Sequence, residues 1–203
     1  PETGLVFDEG DRDMLLWPVP GSLVRIPWMD EPTAQYLAYI CDLDGTPHFA
    51  DPRNALEAVV KRFQSELNMT PVGAVEVEFF LMDRASAIAG EPRAPKSLIN
   101  EHRPQHYQAY YLQDLDDFAP FFKDLYAYCE AQGLPAKTLI SEYAPGQMEI
   151  VLRHRADVLK ACDEGIMLKR LIKATAEKHG MAATFMAKPY AQWTGSGMHI
   201  HVS

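Results

Sequence analysis

The sequence predicts an α+β protein in two parts: a small β unit, then a larger run of alternating strands and helices. Three observations predict it. The first fifty residues are rich in turn formers and short apolar runs. From residue 51 onward, helix-period and strand-period apolar patterns alternate. The chain has 203 residues and is 47% hydrophobic, enough for one good core and a small second unit.

The elements follow in order. "MLLWPVPGSLVRIPW" and "AQYLAYICDLDG" read as strands punctuated by prolines. In "ADPRNALEAVVKRFQSEL", Asp51 is a good N-cap and Pro52 suits the first helical position. Leu56, Val59, Val60, Phe63 and Leu67 then recur with helical period. A helix is expected there, and a domain boundary near residue 45–50. "VGAVEVEFFLMD" reads as a strand, and a polar stretch with Gly and Pro fills 84–104. A second helix is expected over roughly 114–132, with Gly133 as its C′ glycine. A third runs from about 156 to 179 and ends at Gly180. Short apolar stretches, "TLISEYAPGQMEIVLRH" and "ATFMAKP", lie on either side of it.

Composition narrows the function. Lys and Arg total 19 against 28 Asp and Glu, a net charge of −9, which argues against a nucleic-acid surface. No apolar run reaches membrane-spanning length, and no signal-peptide pattern opens the chain. Cys41, Cys129 and Cys162 lie far apart without CxxC spacing. They read as reduced, buried thiols of a cytoplasmic protein.

Three strands share an oddity. In "AVEVEFF", Glu76 and Glu78 share one face while Val75, Val77 and Phe79 share the other. At the strand rise those carboxylates lie roughly 6–7 Å apart. In "GQMEIVL", Gln147, Glu149 and Val151 oppose Met148, Ile150 and Leu152. In "GMHIHVS", His199 and His201 oppose Met198, Ile200 and Val202. Any one of these strands can simply have a wet polar face. Together, their polar positions are acidic or imidazole, with no Lys and with Arg153 as the one Arg nearby. Like charges packed together are destabilising unless something positive sits between them. Carboxylate oxygens with at most an imidazole suit Mg²⁺ or Mn²⁺. Glu142, just before a Pro-Gly turn, adds another carboxylate, and the close spacing of Glu76 and Glu78 suits two ions served by one strand. Zinc is disfavoured by the absence of HExxH and of Cys pairs.

"VEVEFFLMD", "SEYAPGQMEI", "HGMAATFMAKP" and "GSGMHIHVS", in this order and spacing, resemble the glutamine synthetase family. The stretch "GQMEIVLRH…ACDEGIMLKRLIKATAEKHGMAATFMAKP" is more similar to its γ-glutamylpolyamine synthetase-type branch. The resemblance implies roles. Glu78, Glu142 and Glu149 match the carboxylates around one metal, next to glutamate and the attacking amine. Glu142 and Glu149 are thereby the candidate catalytic pair. Glu76 and His199 match ligands of a second metal that bridges the nucleotide phosphates. His201 and Ser203 match ATP-contacting positions, and His154 stands where the family often places a ring near adenine. Gly195 matches the glycine whose backbone approaches glutamate, and Thr194 stands where the family usually has Asn.

The fold implied is α+β. A remnant of a β-grasp-like N-terminal domain is expected over 1–45. About half of a glutamine synthetase-type catalytic domain, a curved antiparallel sheet backed by helices near 52–67, 114–132 and 156–179, is expected over 46–203. The activity implied is ATP-dependent ligation of L-glutamate to a polyamine, another organic amine or ammonia through a γ-glutamyl phosphate. Alternatives are the housekeeping enzyme and a catalytically silent structural member. Two Mg²⁺ or Mn²⁺ ions per site, a large ring-type homo-oligomer with sites between subunits, and no nucleic-acid or membrane partner are implied as well. Relative to the family, the sequence is expected to be a piece that does not ligate alone. It starts after the acidic loop on the amine side. It ends before the phosphoryl-binding arginines, the last metal carboxylate and the flap over glutamate.

Other candidates read as structural. Lys188 in "MAKPY" reads as a surface charge, and "GSG" lacks a phosphate-loop pattern. The aromatic run "HYQAYYLQ" reads as packing, and His102, His106 and His179 have no partner at ligand spacing.

Overall fold

Prolines and glycines cut the first part into short strands. The computed structural model describes residues 13–203. The first twelve residues of the part expected over 1–45 lie outside the described residues. Four strands follow: β1 (Leu15–Pro18), β2 (Val24–Arg25), β3 (Ala34–Gln35) and β4 (Ala38–Cys41). β1 pairs with β4 and β2 with β3, both antiparallel.

Helix α1 (Pro52–Leu67) begins as expected, with the Asp51 carboxylate accepting from the N–H groups of Arg53 and Asn54. The other Asp51 oxygen accepts from Ile40 N–H at 2.6 Å, and the Asn54 amide donates to the Ile40 carbonyl at 2.9 Å. These bonds tie α1 to β4. Among the described residues, those from Asp13 to Ile26 with Pro32–Pro71 form one compact unit, and Pro27–Glu31 with Val72–Ser203 the other. No α1 residue is buried, and Val59, Phe63 and Leu67 of its apolar stripe are exposed.

The second unit carries the larger sheet. Its elements are β5 (Gly73–Asp83), α2 (Arg84–Ile88), α3 (Leu112–Asp117), α4 (Ala119–Ala131), β6 (Ala136–Ser141), β7 (Gln147–Leu152), α5 (Val158–Lys178), β8 (Met181–Thr184) and β9 (Met198–Val202). The single helix expected over 114–132 is two. Pro120, which has no N–H, opens α4, and Phe118 before it leaves helical geometry at φ −112° and ψ 17°. The polar stretch 84–104 begins with a short helix not expected from its composition, α2, capped by Asp83 accepting from Ser86 N–H.

The sheet is antiparallel, in the order β6-β7-β5-β8, with β9 also pairing β5. β9 pairs with Gly73–Val77 of β5, and β8 with Phe80–Asp83. β5 is thus the strand around which the others are arranged. Val75, Val77 and Phe79 of β5, with Met148 and Ile150 of β7, are buried. α5 packs over β5 and β8 and brings Leu168, Leu171 and Ile172 into this core, and α4 packs against α5. Each such side chain contributes about 1.5–3 kcal/mol by burial. This is the expected α+β layer of sheet and helices.

β9 departs from expectation. Its alternation is present, but Met198, Ile200 and Val202 are exposed, so nothing among the described residues covers its apolar face.

Candidate active site

Strand parity puts Glu76 and Glu78 on the face of β5 away from α5, and antiparallel register decides what stands opposite them. Glu76 is paired with His199 of β9, and Glu78 with Glu149 of β7. Two carboxylates directly opposed across a ladder repel. Glu149 is only 7% exposed, so water cannot screen the pair well. Burial pushes Glu149 up to about 7, and Glu76, Glu142 and Glu78 add to the shift, with His199 acting the other way. Burial likewise raises Glu142, with Glu78 the next cause. All five expected metal ligands therefore act on one another in one patch.

Within that patch, Glu76, Glu149 and His199 each offer one ligand atom within 4.8 Å of the others. This trio cuts across the expected division into Glu78, Glu142 and Glu149 for one ion and Glu76 and His199 for another. His199 Nδ1 lies against Glu76 Oε1, and His201 Nε2 stands 3.1 Å from Glu76 Oε2. Glu76 thus holds both histidines of β9. The donor set, carboxylate oxygens plus imidazole, fits a hard or borderline divalent ion such as Mg²⁺ or Mn²⁺.

One central residue had no expected role. Gln147, opposite Phe80, donates through Nε2 to Glu78 Oε2 at 3.0 Å and to the Gly195 carbonyl at 2.9 Å. Its Oε1 accepts from Thr194 Oγ1 at 2.6 Å. Gln147 therefore fixes one carboxylate and the 194–195 loop together. The signal was available, since Gln147 shares its strand face with Glu149 two residues on.

Two glycines make the crowding possible. A Cβ on Gly197 would lie 2.7 Å from Glu78 Oε1 and 3.0 Å from the His199 ring. A Cβ on Gly195 would lie 2.7 Å from the Ala187 carbonyl oxygen. Gly195 thus has a reason internal to the fold, beside the expected approach to a ligand.

The remaining candidates sort along β5. Val72 and Ser203 exchange backbone hydrogen bonds of 2.8 and 2.9 Å, His201 pairs with Ala74, and exposed His154 precedes Arg155, which bridges Gly73. His154, His201 and Ser203 therefore gather near the start of β5. Thr194 and Gly195 lie beside Gln147, toward its middle, and the carboxylates lie between. Beyond them the same face of β5 turns apolar. Phe80 and Met82 are buried with Ala144 and Tyr190, and Trp193 stacks on Phe80. Lys188 Nζ donates to the Trp193 carbonyl at 2.9 Å. His179 and His106 stand beside acidic groups, Asp124 at 3.1 Å and Asp114 at 3.0 Å. The three cysteines are free thiols, Cys41 and Cys129 buried and Cys162 partly so. Among the described residues, no helix is long and apolar enough to cross a membrane.

The chain that carries this acidic face has known relatives. The model of the glutamine synthetase catalytic domain matches residues 49–203. The chain is 40% identical over 202 residues to gamma-glutamylputrescine synthetase PuuA of Escherichia coli (strain K12), across 100% of this chain and 43% of that protein. It is 34% identical over 198 residues to a glutamate–isopropylamine ligase of a Pseudomonas species, across 97% of this chain and 42% of that protein. A solved GmaS/ADP complex superposes with a TM-score of 0.82 at 29% identity, covering 97% of this chain and 43% of that one. The chain belongs to the glutamine synthetase family. It spans less than half the length of these relatives.

Proposed function

We propose that this chain forms the metal- and nucleotide-facing part of an ATP-dependent ligase that joins L-glutamate to an amine. The observation that carries the proposal is the opposition of Glu78 and Glu149 under low exposure. That arrangement is unfavourable by itself and becomes favourable around a cation. In the reaction, the γ-carboxylate of glutamate attacks the γ-phosphorus of ATP and ADP leaves. The amine nitrogen then attacks the acyl carbon of γ-glutamyl phosphate, and inorganic phosphate leaves. Two Mg²⁺ or Mn²⁺ ions, held by Glu76, Glu78, Glu142, Glu149 and His199, would neutralise phosphate and carboxylate charge and favour in-line transfer.

The chain's own residues supply the rest. A carboxylate of Glu142 or Glu149 accepts the proton the ammonium sheds before attack. Gln147 holds Glu78 and the 194–195 loop in register, so that Thr194 and the Gly195 backbone meet glutamate. His154, His201 and Ser203 meet the nucleotide near the start of β5. Both curated relatives described above are named for organic amines, which supports an organic amine or polyamine over ammonia. A cytoplasmic location and a ring-type homo-oligomer with shared sites complete the reading. The test is glutamate-dependent phosphate release by the full-length protein with ATP and a panel of amines. Release that ignores glutamate, or needs no amine, overturns the proposal.

A further inference from the structure

Gln147 is 1% exposed, and the chain uses up its whole hydrogen-bonding capacity. A side-chain amide offers two hydrogens and two lone pairs. The hydrogens go to Glu78 Oε2 at 3.0 Å and to the Gly195 carbonyl at 2.9 Å. The lone pairs accept from Thr194 Oγ1 at 2.6 Å and from the Ala144 N–H at 3.3 Å. These partners also fix which way the amide points. Turned over, it would aim Oε1 at an ionised carboxylate and a carbonyl, neither of which can donate. Gln147 therefore presents an N–H to Glu78, and Thr194 anchors the other end of its amide.

That contact divides the two oxygens of Glu78. Oε2 is engaged in a charge-assisted bond with Gln147. Oε1 faces Gly197, where a Cβ would lie 2.7 Å from it and 3.0 Å from the His199 ring. Oε1 is thus the oxygen nearer another ligand candidate. A hydrogen-bonded oxygen gives less of its charge to a cation. A carboxylate tied at one end also cannot swing both oxygens onto one ion. Divalent ions differ in what they ask of a carboxylate. Ca²⁺ accepts both oxygens of one carboxylate in a loose, flexible shell. Mg²⁺ holds a tight octahedron, which the narrow bite of a chelating carboxylate distorts. Mn²⁺ takes octahedral oxygen sites as well.

We propose that Gln147 determines which cation the acidic face selects: by occupying Oε2 of Glu78 it leaves that carboxylate one oxygen for an ion, which favours Mg²⁺ and Mn²⁺ over Ca²⁺. The proposal rests on the cation reading above and adds a selectivity to it. The test measures Mn²⁺ and Ca²⁺ dissociation constants of the full-length protein without nucleotide or glutamate. The free-Mn²⁺ EPR signal and its recovery on displacement by Ca²⁺ give both. Gln147→Leu removes the N–H at similar volume. It is expected to shift the preference about tenfold toward Ca²⁺, the scale of a lost partner behind a metal ligand. Thr194→Val removes only the anchoring hydroxyl and should shift the preference the same way by about threefold. Thr194→Ser keeps the donor and should stay within about twofold of wild type. Both ions weakening by one factor in Gln147→Leu, as for a residue that merely supports the fold, overturns the proposal. Where that variant does not fold, an unshifted preference in Thr194→Val overturns it. A wild-type protein that binds neither ion overturns it together with the cation reading. Phosphate release that ignores glutamate, with the shift toward Ca²⁺ intact, sinks the ligase reading and leaves the selectivity standing.

Discussion

Asp83 and Glu149 sit in the same sheet and carry the same functional group, but their surroundings treat it in opposite ways. Asp83, at the end of β5, accepts from Ser86 N–H at 2.9 Å and from Arg103 at 3.2 Å. Those partners, the Ser86 N–H foremost, hold its carboxyl below the ordinary range. Glu149 is buried opposite Glu78 and pushed up to about 7. One carboxylate is satisfied by donors of the chain, and the other is buried among like charges. The difference separates a residue that stabilises the fold from one that the fold holds at a cost.

That contrast breaks most visibly at Glu149. Glu149→Gln keeps the side-chain shape and removes the charge facing Glu78. Turnover of the full-length protein should fall on the order of 10²–10³-fold, the scale seen when one charge-stabilising group is lost. The melting temperature without added metal should hold or rise, because a buried like-charge contact is gone. His199→Ala should show a similar loss. Steady-state rates at saturating Mg²⁺ and thermal melts check both halves. Near-normal turnover in either variant removes these residues from the catalytic apparatus.

A smaller effect is expected at Gly197. A Cβ there meets the far ends of Glu78 and His199, not backbone. Those ends can swing away, so Gly197→Ala should fold normally while moving two ligands. Mn²⁺ affinity, read by titration of the free-ion EPR signal, should weaken about tenfold, as when the groups that orient a metal ligand are changed. Gly195→Ala is the control that sharpens the comparison. Its Cβ meets the Ala187 carbonyl, so its loss should appear in the melting temperature. Unchanged Mn²⁺ affinity in Gly197→Ala means that the glycine serves something other than the ligand positions.

What the sequence made legible follows from what periodicity encodes. Alternation in "AVEVEFF" and "GQMEIVL" correctly placed Glu76, Glu78 and Glu149 on one face and the apolar partners on the other. Alternation says which side chains share a face, but not whether anything covers it. Among the described residues the apolar faces of β9 and of α1 are accordingly exposed although their periods are correct. Register was also invisible. The pairing of Glu78 with Glu149 and of Glu76 with His199 depends on how three distant strands align. The break at Pro120 was readable and was overridden by the longer helical pattern around it. Gln147 shares its strand face with Glu149, but its bonds reach Glu78 on β5 and Thr194 and Gly195 in a loop more than forty residues away, which periodicity does not encode. Of the run expected to pack, Tyr111 packs on His106 while Tyr107 and Tyr110 are exposed, because composition cannot tell a packed ring from an open one.

The smallest expected effect lies at the satisfied end of the comparison. Asp83→Ala removes the cap of α2 and the partner of Arg103. A lost cap costs about 1 kcal/mol. The Arg103 pair adds little, since both side chains are partly wet and such pairs are weak. The sign of the pH dependence follows from the direction of the shift. The folded carboxyl titrates below the ordinary aspartate value of 3.8, so the folded state favours the ionised form. Its contribution is fully present above that value and is lost as pH falls through the lower folded value. Denaturant melts of wild type and Asp83→Ala should therefore differ by about 1 kcal/mol at neutral pH and converge in acid below the ordinary value. Turnover at neutral pH should stay close to wild type, because Asp83 is bound into the α2 cap and lies apart from Glu76, Glu78 and Glu149. A gap that persists undiminished at the lowest pH would mean that the cap acts through shape and not charge. A large loss of turnover without a loss of stability would erase the distinction between the two carboxylates.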